Sequence, residues 1–429
     1  MKYGCIGGVL GHSYSAAIHE RLTGEPYSLR ELEPEKVGAF LRAREFRGIN
    51  VTVPYKQTVI PYLDRVDGAA AAVGAVNTIV NENGRLVGYN TDVVGMRAAL
   101  ARAGICPTGR VAAVLGSGGT SHTAAAVLSA LGAGEILRVS RTGRDRCISY
   151  DELFEEAGRV EILINTTPVG MFPQTDGCPL DITHFPSLVG VFDVIYNPLR
   201  TRLVSAAFER HIRADGGLYM LVVQAVAAAE LFRNTTYPVG TADRIYNELL
   251  SERRQTILIG MPSAGKSEVG RCLAAALGRP FFDADAVAAE KIGAPVGDYI
   301  RKNGEAAFRK IEKNIISELT KNADGAVIAT GGGSVISHEN VNYMRQNGQI
   351  YLIDKPLSEL RPSDDRPLSA TEDDMHRLYK TRRPLYLGAA DVITDGHGNA
   401  ADITRRILAK EKQTEEYMRE NFDSERAEP

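Results

Sequence analysis

GMPSAGKS at residues 260–267 and GSGGTS at residues 116–121 are the two stretches that decide the fold. The first has the spacing G-x-x-x-x-G-K-S of a phosphate-binding loop, and the second is a G-x-G-x-x-S variant of the turn that holds a dinucleotide pyrophosphate. Each stretch follows a short apolar run and precedes a helical pattern, which is the strand–turn–helix context that both motifs need. The sequence therefore predicts an α/β protein with two chemically different nucleotide sites.

The bulk properties exclude several classes of partner. The 429 residues carry a net charge of −3, which gives no reason to expect binding to nucleic acid or to an anionic membrane. The five cysteines are scattered and form no C-x-x-C pair, and the eight histidines show no metal-ligand spacing with them. The chain begins in a strand pattern without a secretory apolar core. We expect free thiols, a cytoplasmic location and about three domains.

The order of predicted strands and helices divides the chain. Residues 1–105 alternate strand and helix and form a first lobe, to which a helix within residues 217–250 is expected to return. Residues 106–216 have the βαβ pattern of a Rossmann domain, and residues 255–410 form a parallel-sheet domain of the P-loop NTPase type. A charged helix over 242–254 predicts a rigid junction, and the charged tail 411–429 is expected to be disordered.

The residues after the second Rossmann strand indicate which dinucleotide binds. NAD-binding units usually carry an acid there, which bonds the ribose 2′-hydroxyl. This chain has Ser140, Arg141, Thr142 and Arg144 instead. Arginine offers a planar, charged fork that suits a 2′-phosphate, so the pattern favours NADP over NAD. The alternative is that this is simply a solvated basic turn.

Several motifs in the first 250 residues occur in one particular order. Lys56 ends the run GINVTVPYK at 48–56, and Asp92 ends NTD at 90–92. Taken singly, these residues would be a loop lysine and a helix cap. The accompanying motifs are GHSYS at 11–15, GAVNT at 74–78, NTTPVGM at 165–171, DVIYNP at 193–198 and MLVVQ at 220–224. Together they closely resemble shikimate dehydrogenase.

This resemblance implies NADPH-dependent reduction of 3-dehydroshikimate to shikimate, with Lys56 and Asp92 as the catalytic pair. The substrate-binding residues that it implies are Ser13, Ser15, Thr52, Lys56, Asn77, Asp92, Tyr196 and Gln224. Those implied for NADP are Gly116, Ser117, Gly118, Gly119, Thr120, Ser140, Arg141, Thr142 and Arg144. The chain departs from the family with Ala16 in place of a frequent proline, Ser140 in place of asparagine and Tyr219 in place of glycine; the last is expected to alter helix packing near Gln224.

The phosphate loop is followed by a second ordered set of motifs. These are FFDAD at 281–285, GEAAFR at 304–309, TGGG at 330–333, RPL at 366–368 and RRPLY at 382–386. Singly, an Asp pair can cap a helix and arginines can be solvated. In this order, over residues 255–410, they resemble shikimate kinase, which implies phosphorylation of the shikimate 3-hydroxyl with ATP and Mg²⁺.

The kinase resemblance also assigns residues. Those implied for ATP are Gly260, Ser263, Ala264, Gly265, Lys266, Ser267 and Arg366, of which Lys266 and Arg366 are implied to be catalytic and Arg366 belongs to a mobile lid. Those implied for the acceptor are Asp285, Arg309, Gly331, Gly332, Gly333 and Arg382, and those for the metal are Ser267 and Asp283. Ser263 stands where the family more often has glycine, so it is mildly costly if the loop needs a positive φ there.

The sequence thus favours a bifunctional cytoplasmic enzyme, as a monomer or homodimer, acting on small molecules. One alternative is an NAD-dependent quinate/shikimate dehydrogenase fused to a different small-molecule kinase. Another is a dehydrogenase whose kinase-like module only senses nucleotide. The arginines after Val139 and the set Asp285, Arg309 and Arg382 argue against the first alternative. Intact Lys266, Ser267, Asp283 and Arg366 argue against the second.

Overall fold

The protein is described by a computed structural model that covers residues 1–11, 13–143, 146–362 and 368–411. The chain forms two compact units, Met1–Leu249 and Leu250–Pro429. Three predicted features lie outside the described residues: Arg144, Arg366 and the tail beyond residue 411.

The first unit contains two sheets. The strands of the first sheet are β1 (Tyr3–Gly7), β2 (Ser28–Glu31), β3 (Gly48–Val51), β4 (Arg65–Val66), β5 (Thr78–Glu82) and β6 (Arg85–Tyr89). Their order is β2-β1-β3-β5-β6-β4, and β5 runs antiparallel to both of its neighbours. An Asn-Gly pair between two apolar runs predicts a hairpin, and Asn83 and Gly84 form one between β5 and β6. Both residues have the positive φ that a two-residue hairpin turn favours. The sheet is therefore mixed, although strand–helix alternation alone predicts a parallel one.

The second sheet has the predicted Rossmann character. Its strands are β7 (Val111–Leu115), β8 (Glu135–Val139), β9 (Ile162–Asn165), β10 (Gly190–Asp193) and β11 (Arg213–Asp215). They are all parallel, in the order β11-β10-β9-β7-β8. Apolar runs such as Val111–Leu115 lose their exposed surface because helices cover both faces of such a sheet.

The helices of this unit cover the two sheets. They are α1 (Ser15–Thr23), α2 (Pro34–Ala43), α3 (Gly68–Val73), α4 (Asp92–Arg102), α5 (Gly119–Ala130), α6 (Tyr150–Glu155), α7 (Arg202–Glu209), α8 (Leu218–Arg233) and α9 (Thr241–Arg253). Helix α8 packs on α4 and α1. Helix α9 is continuous from Thr241 to Arg253, and its role as a rigid junction stays a prediction.

Tyr219 contributes to helix packing in the first unit. Its hydroxyl donates to Asp243 on α9 at 2.7 Å, and its ring meets Tyr246 edge-on at a centroid distance of 5.4 Å. The guanidinium of Arg102, on α4, lies 4.8 Å from the Tyr219 ring centre and 3.9 Å from that of Tyr246. A glycine could make none of these contacts, so Tyr219 joins α8 to the first half of α9.

The second unit is a single five-stranded parallel sheet flanked by helices. Its strands are β12 (Gln255–Ile259), β13 (Phe281–Asp283), β14 (Val327–Ala329), β15 (Gly348–Asp354) and β16 (Val392–Asp395), in the order β13-β14-β12-β15-β16. Its helices are α10 (Lys266–Leu277), α11 (Ala284–Ile292), α12 (Val296–Asn303), α13 (Glu305–Asn322), α14 (His338–Asn347) and α15 (Glu372–Ala389); residues 400–411 are helical too. The phosphate loop follows the central strand β12, as the P-loop prediction requires. Among the helices within the described ranges, none is long and apolar enough to cross a bilayer.

Candidate active sites

A buried ion pair lies at the centre of the first candidate site. Lys56 follows β3 and Asp92 is the first residue of α4, and the ammonium donates to Asp92 Oδ2 at 2.7 Å. The Lys56 Nζ also lies 3.3 Å from the hydroxyl of Thr120, in the first turn of α5. Only 13% and 9% of the two ionic side chains are exposed, so solvent screens their attraction weakly. The structure thus places a proton-donating group directly beside the dinucleotide turn.

A network of buried amides and hydroxyls lies next to this pair. Asn77 Nδ2 donates to the Thr91 hydroxyl at 3.0 Å and to Gln224 Oε1 at 3.4 Å. Asn77 Oδ1 accepts from the Thr91 backbone N–H at 2.7 Å and from the Thr78 hydroxyl at 3.0 Å. These bonds fix the orientation of two predicted substrate ligands, Asn77 and Gln224. Groups held in this way can present fixed donors and acceptors to ring hydroxyls.

The predicted serine pair lies near a half-buried tyrosine. The Ser15 backbone N–H donates to Ser13 Oγ at 3.3 Å, at the start of α1. Tyr196 is hydrogen-bonded to Ser13 and its ring packs against Tyr14 at a centroid distance of 5.1 Å. Burial, together with the nearby Tyr14, raises the pKa of Tyr196 to about 12, so its hydroxyl stays protonated at neutral pH. Thr52, the fourth hydroxyl of this set, donates its backbone N–H to Ile6 at 2.9 Å.

One thiol lies close to the ion pair. Cys5 on β1 is 3% exposed, and burial raises its pKa to about 12, with a lowering contribution from the Lys56 charge and a raising one from Asp92. The thiol is therefore uncharged at neutral pH and adds no charge beside Lys56 and Asp92.

The dinucleotide turn has the shape that its glycines predict. Gly116 has a φ of +117°, and a Cβ there would lie 2.5 Å from the Thr166 hydroxyl, so only glycine fits. A Cβ on Gly118 would meet nothing within 4 Å, which leaves open space in front of the helix. Gly119 and Thr120 begin α5, whose free N–H groups and dipole favour an anion at this end. The turn, with Ser117 between its glycines, therefore fits a pyrophosphate.

The residues expected to select the 2′-phosphate follow β8. Arg141 and Thr142 are exposed at the surface, whereas Ser140 is buried. Within the described residues the Ser140 hydroxyl has no hydrogen-bond partner, which is uncommon for a buried polar group and leaves it available to a ligand. Arg144, the fourth member of this set, lies outside the described residues. The three described groups therefore remain predicted NADP ligands.

A buried carboxyl group accepts several hydrogen bonds within the second sheet of the first unit. Asp193 ends β10, accepts from Asn165 Nδ2 at 3.0 Å and from the Thr201 hydroxyl at 2.7 Å. Burial raises the pKa of Asp193 to about 6, although these bonds and that from the Ile195 N–H oppose the shift. The motifs at 165–171 and 193–198 are thus joined through this carboxyl.

In the second unit the phosphate loop is folded around its own lysine. Lys266 Nζ donates to the carbonyls of Gly260 and Met261, at 2.9 Å each. Gly265 has a φ of +85° and caps α10, in whose first turn Ser267 lies. Ala264 is buried, so the loop backbone rests on the core. Gly265, Lys266 and Ser267 all line one space, and a triphosphate requires the lysine and the loop backbone close together.

This space belongs to an open cavity of about 1010 Å³ that also reaches the predicted acceptor residues. Members of its lining include Ser263, Lys266, Ser267, Asp285, Arg309, Gly331, Gly332, Gly333 and Arg382. One cavity is therefore lined by all six predicted acceptor residues and, with Gly265, by four of the predicted nucleotide residues. The predicted residues Gly260, Ala264 and Asp283 do not line it. Arg366 lies outside the described residues.

Two glutamates that we did not predict hold the acceptor arginines. Arg309 Nη1 donates to Glu312 Oε2 at 2.7 Å, and its Nη2 donates to Glu305 Oε1 at 2.5 Å. Glu305 Oε1 also lies 3.7 Å from Arg382 Nη2, so one carboxylate bridges both arginines. Glu312 is 3% exposed and accepts from the Ser334 hydroxyl at 2.7 Å. The spacing of Glu305, Arg309 and Glu312 on one helix face is the signal that could have revealed them.

Gly331, Gly332 and Gly333 have no positive φ, but other residues lie too close to them to leave room for a side chain. A Cβ on Gly331 would lie 2.6 Å from Asp285 Oδ1, and one on Gly333 would lie 1.9 Å from Arg309 Nη2. The Gly332 carbonyl accepts from Arg382 Nη1 at 3.1 Å and from the Tyr386 hydroxyl. A side chain at Gly331 or Gly333 would therefore displace a predicted acceptor group, and one at Gly332 would collide with Pro262 of the phosphate loop.

Asp283 serves as a helix cap in this structure. Its Oδ1 accepts from the backbone N–H groups of Asp285 at 3.0 Å and Ala286 at 3.3 Å, at the start of α11. No group of three or more His, Cys, Asp or Glu side chains able to hold a metal ion occurs within the described part of the chain. The assignment of Ser267 and Asp283 to a metal therefore stays a prediction.

Two family models match different parts of the chain. The model described as shikimate dehydrogenase substrate binding domain matches residues 5–79, and that described as shikimate kinase matches residues 262–417. The chain is similar to the NADP(+) shikimate dehydrogenase of Moorella thermoacetica, with 37% identity over 246 residues, covering 53% of this chain and 82% of that relative.

Solved structures match the same region. Shikimate dehydrogenase 1 from Peptoclostridium difficile has a TM-score of 0.55 at 33% identity, covering 58% of this chain and 98% of its own. Shikimate 5-dehydrogenase from Thermus thermophilus, solved in complex with NADP(H) and shikimate, has a TM-score of 0.52 at 29% identity, covering 58% of this chain and 99% of its own.

Proposed function

Because the chain belongs to the shikimate dehydrogenase family and also carries a shikimate kinase domain, we propose that it catalyses two consecutive reactions. The first unit reduces 3-dehydroshikimate to shikimate with NADPH, and the second transfers a phosphoryl group from ATP to the 3-hydroxyl of shikimate. The observation that carries the first assignment is the Lys56 ammonium, 2.7 Å from Asp92 and 3.3 Å from Thr120 of the dinucleotide turn.

Proton donation by Lys56 completes the reduction. The turn at residues 116–121 and Arg141 would hold NADPH, which would supply a hydride to the ketone carbon. Negative charge develops on the ketone oxygen in the transition state, and a general acid must neutralise it with a proton. The Lys56 ammonium is that acid and donates its proton to the oxygen. Asp92 holds that ammonium in place, and in the reverse direction the neutral amine accepts the proton.

The remaining residues of the first site orient the substrate. Asn77 and Gln224, already fixed by their mutual bond, suit the ring hydroxyls. Ser13, Ser15 and the protonated Tyr196 offer hydroxyl donors to the substrate carboxylate. The open turn at Gly118 and the buried hydroxyl of Ser140 fit the cofactor phosphates, and exposed Arg141 suits the 2′-phosphate.

The second site supports phosphoryl transfer by positioning and charge. Lys266 would exchange its bonds to the loop carbonyls for bonds to the β- and γ-phosphates. Oxygen ligands suit Mg²⁺, so the Ser267 hydroxyl and the phosphate oxygens would bind it directly. Asp283, two residues before Asp285, would be the carboxylate near the metal. Arg309 and Arg382 offer two guanidinium groups to the carboxylate of shikimate, and Asp285 suits its hydroxyl.

One coupled assay tests both activities. The purified chain is incubated with 3-dehydroshikimate, NADPH and MgATP, and the products are resolved by mass. We expect shikimate when ATP is omitted, shikimate 3-phosphate when all are present, and no product without NADPH. NADPH oxidation without any phosphorylated product would refute the kinase assignment and favour a nucleotide-sensing module. Faster turnover with NAD and quinate would refute the NADP-dependent assignment. A cytoplasmic location and a monomeric or homodimeric state remain part of this proposal.

A further inference from the structure

Ser263 has an unusual backbone conformation for its residue type. Its φ is +65°, in the left-handed region, whereas the other residues of the loop with positive φ are Gly260 and Gly265. A side chain with a Cβ is disfavoured there, because the Cβ crowds the neighbouring carbonyl. A glycine would adopt the same turn without this strain. The serine is therefore informative if its hydroxyl makes a contact that glycine cannot make.

The hydroxyl does make such a contact. Ser263 Oγ donates to the main-chain carbonyl of Arg361 at 2.7 Å, which links two segments 98 residues apart in the chain. Both residues line the large cavity, together with Lys266, Ser267 and Pro362. The bond thus joins the phosphate loop to the segment that forms another wall of the nucleotide side of the cavity.

We propose that Ser263 is a positioning residue for the nucleotide, whose hydroxyl ties the phosphate loop to the backbone at Arg361. The proposal rests on the proposed kinase function of this unit. The bond holds the turn between Gly260 and Gly265 in the shape that directs its N–H groups into the cavity. The loop is then already ordered before ATP binds, so the binding free energy is not reduced by the cost of ordering it. The acceptor groups Arg309 and Asp285 lie on other elements, so binding of shikimate should not depend on this bond.

Two variants separate the hydroxyl from the backbone strain. Ser263→Ala removes the hydroxyl and keeps a Cβ at positive φ, whereas Ser263→Gly removes both. Both full-length variants are assayed for KM of ATP, KM of shikimate, kcat and thermal midpoint, with ketone reduction by the same chain as the measure of enzyme amount. Binding of a fluorescent ADP analogue is titrated in parallel, because it reports on the loop without requiring phosphoryl transfer.

We expect KM for ATP and Kd for the ADP analogue to rise about fivefold in both variants, the effect of losing one hydrogen bond. KM for shikimate and kcat should stay within about twofold of the original values. The glycine variant should unfold at a higher temperature than the alanine variant, because it lacks the strain. If Ser263→Gly binds nucleotide as tightly as the original chain, the proposal is overturned. If the original chain binds the analogue but does not phosphorylate shikimate, the proposed function fails, and the ratio of Kd values still decides the role of Ser263.

Discussion

Lys56 and Asp92 meet at 2.7 Å although they come from a loop after β3 and from the start of α4. Each residue has an ordinary solvated alternative in the sequence, and it is their contact beside Thr120 that makes a catalytic role the better interpretation. A mutation at either residue should therefore affect the reduction step and leave the second unit unaffected.

Lys56→Ala should abolish ketone reduction. Loss of the proton donor should lower kcat by about 10²-fold or more. NADPH binding, followed by fluorescence titration, and shikimate phosphorylation should be nearly unchanged. Asp92→Asn is the matched variant: it leaves the lysine in place without its anionic partner and should reduce kcat less. Turnover of the Lys56 variant at the original rate would contradict the assignment.

Arg141→Ala should weaken NADPH selectively. Only NADPH carries the 2′-phosphate, so KM for NADPH should rise roughly tenfold, as expected for one charge-assisted hydrogen bond, while KM for NADH hardly changes. Steady-state kinetics with both cofactors make the comparison. Equal losses with both cofactors would instead assign a structural role to this exposed arginine.

Lys266→Ala should stop phosphoryl transfer without slowing reduction. Its ammonium would no longer neutralise the charge on the transferred phosphoryl group, which should lower kcat by about 10²-fold. Ketone reduction by the same preparation serves as the control for folding. A matching fall in both activities would mean that the lysine stabilises the chain rather than the transferred charge.

His19 should make the first unit sensitive to acid. It is 1% exposed and stacks on Tyr27 at a centroid distance of 4.2 Å, and burial lowers its pKa to about 3 from an ordinary value of 6.5. The unfolded chain therefore binds a proton between pH 6.5 and 3 that the folded chain does not, so stability falls as the pH falls through this range, by up to roughly 1.4 kcal/mol per pH unit. In urea unfolding followed from pH 7 to pH 4, His19→Phe should show a shallower dependence than the original chain. Identical slopes would show that other groups govern the acid response.

The position of a cut between the activities should matter. Both pieces made by a cut between Glu252 and Gln255 retain their own motifs, so each should keep its activity. However, Arg279 Nη2 donates to the Ser251 carbonyl at 2.8 Å, and the Gly325 N–H donates to the Arg253 carbonyl at 3.0 Å, all within the second unit. A kinase piece that starts at residue 250 should therefore melt at a higher temperature than one that starts at residue 255. Equal midpoints would show that the end of α9 adds nothing to that unit, and a kinase piece active only in the presence of the other would contradict independent modules.

Much of the architecture was predictable because local patterns decide it. The glycine-rich turns, the Asn83–Gly84 hairpin and the apolar runs of β7 and β12 each specify their own geometry. The mixed first sheet was not predicted, because strand direction depends on which strands pair and not on their composition. Glu305 and Glu312 were missed for a related reason: glutamate on a helix is usually solvated, and only the fold brings the second arginine, Arg382, to Glu305. The sign of φ at Ser263 likewise became known only from the folded loop.

The bridge that Glu305 makes between Arg309 and Arg382 has a thermodynamic consequence for the acceptor site. The two arginines already hold an anion before any acceptor arrives, so binding of a carboxylate substrate there is an exchange of one anion for another. Its affinity is then a difference between two similar interactions, and it should depend less on ionic strength than the capture of an anion by free arginines would. The arginines attract the incoming carboxylate about as strongly as they attract the glutamate that it displaces. Such a site therefore discriminates between substrates by their shape and by the number of hydrogen bonds that they form.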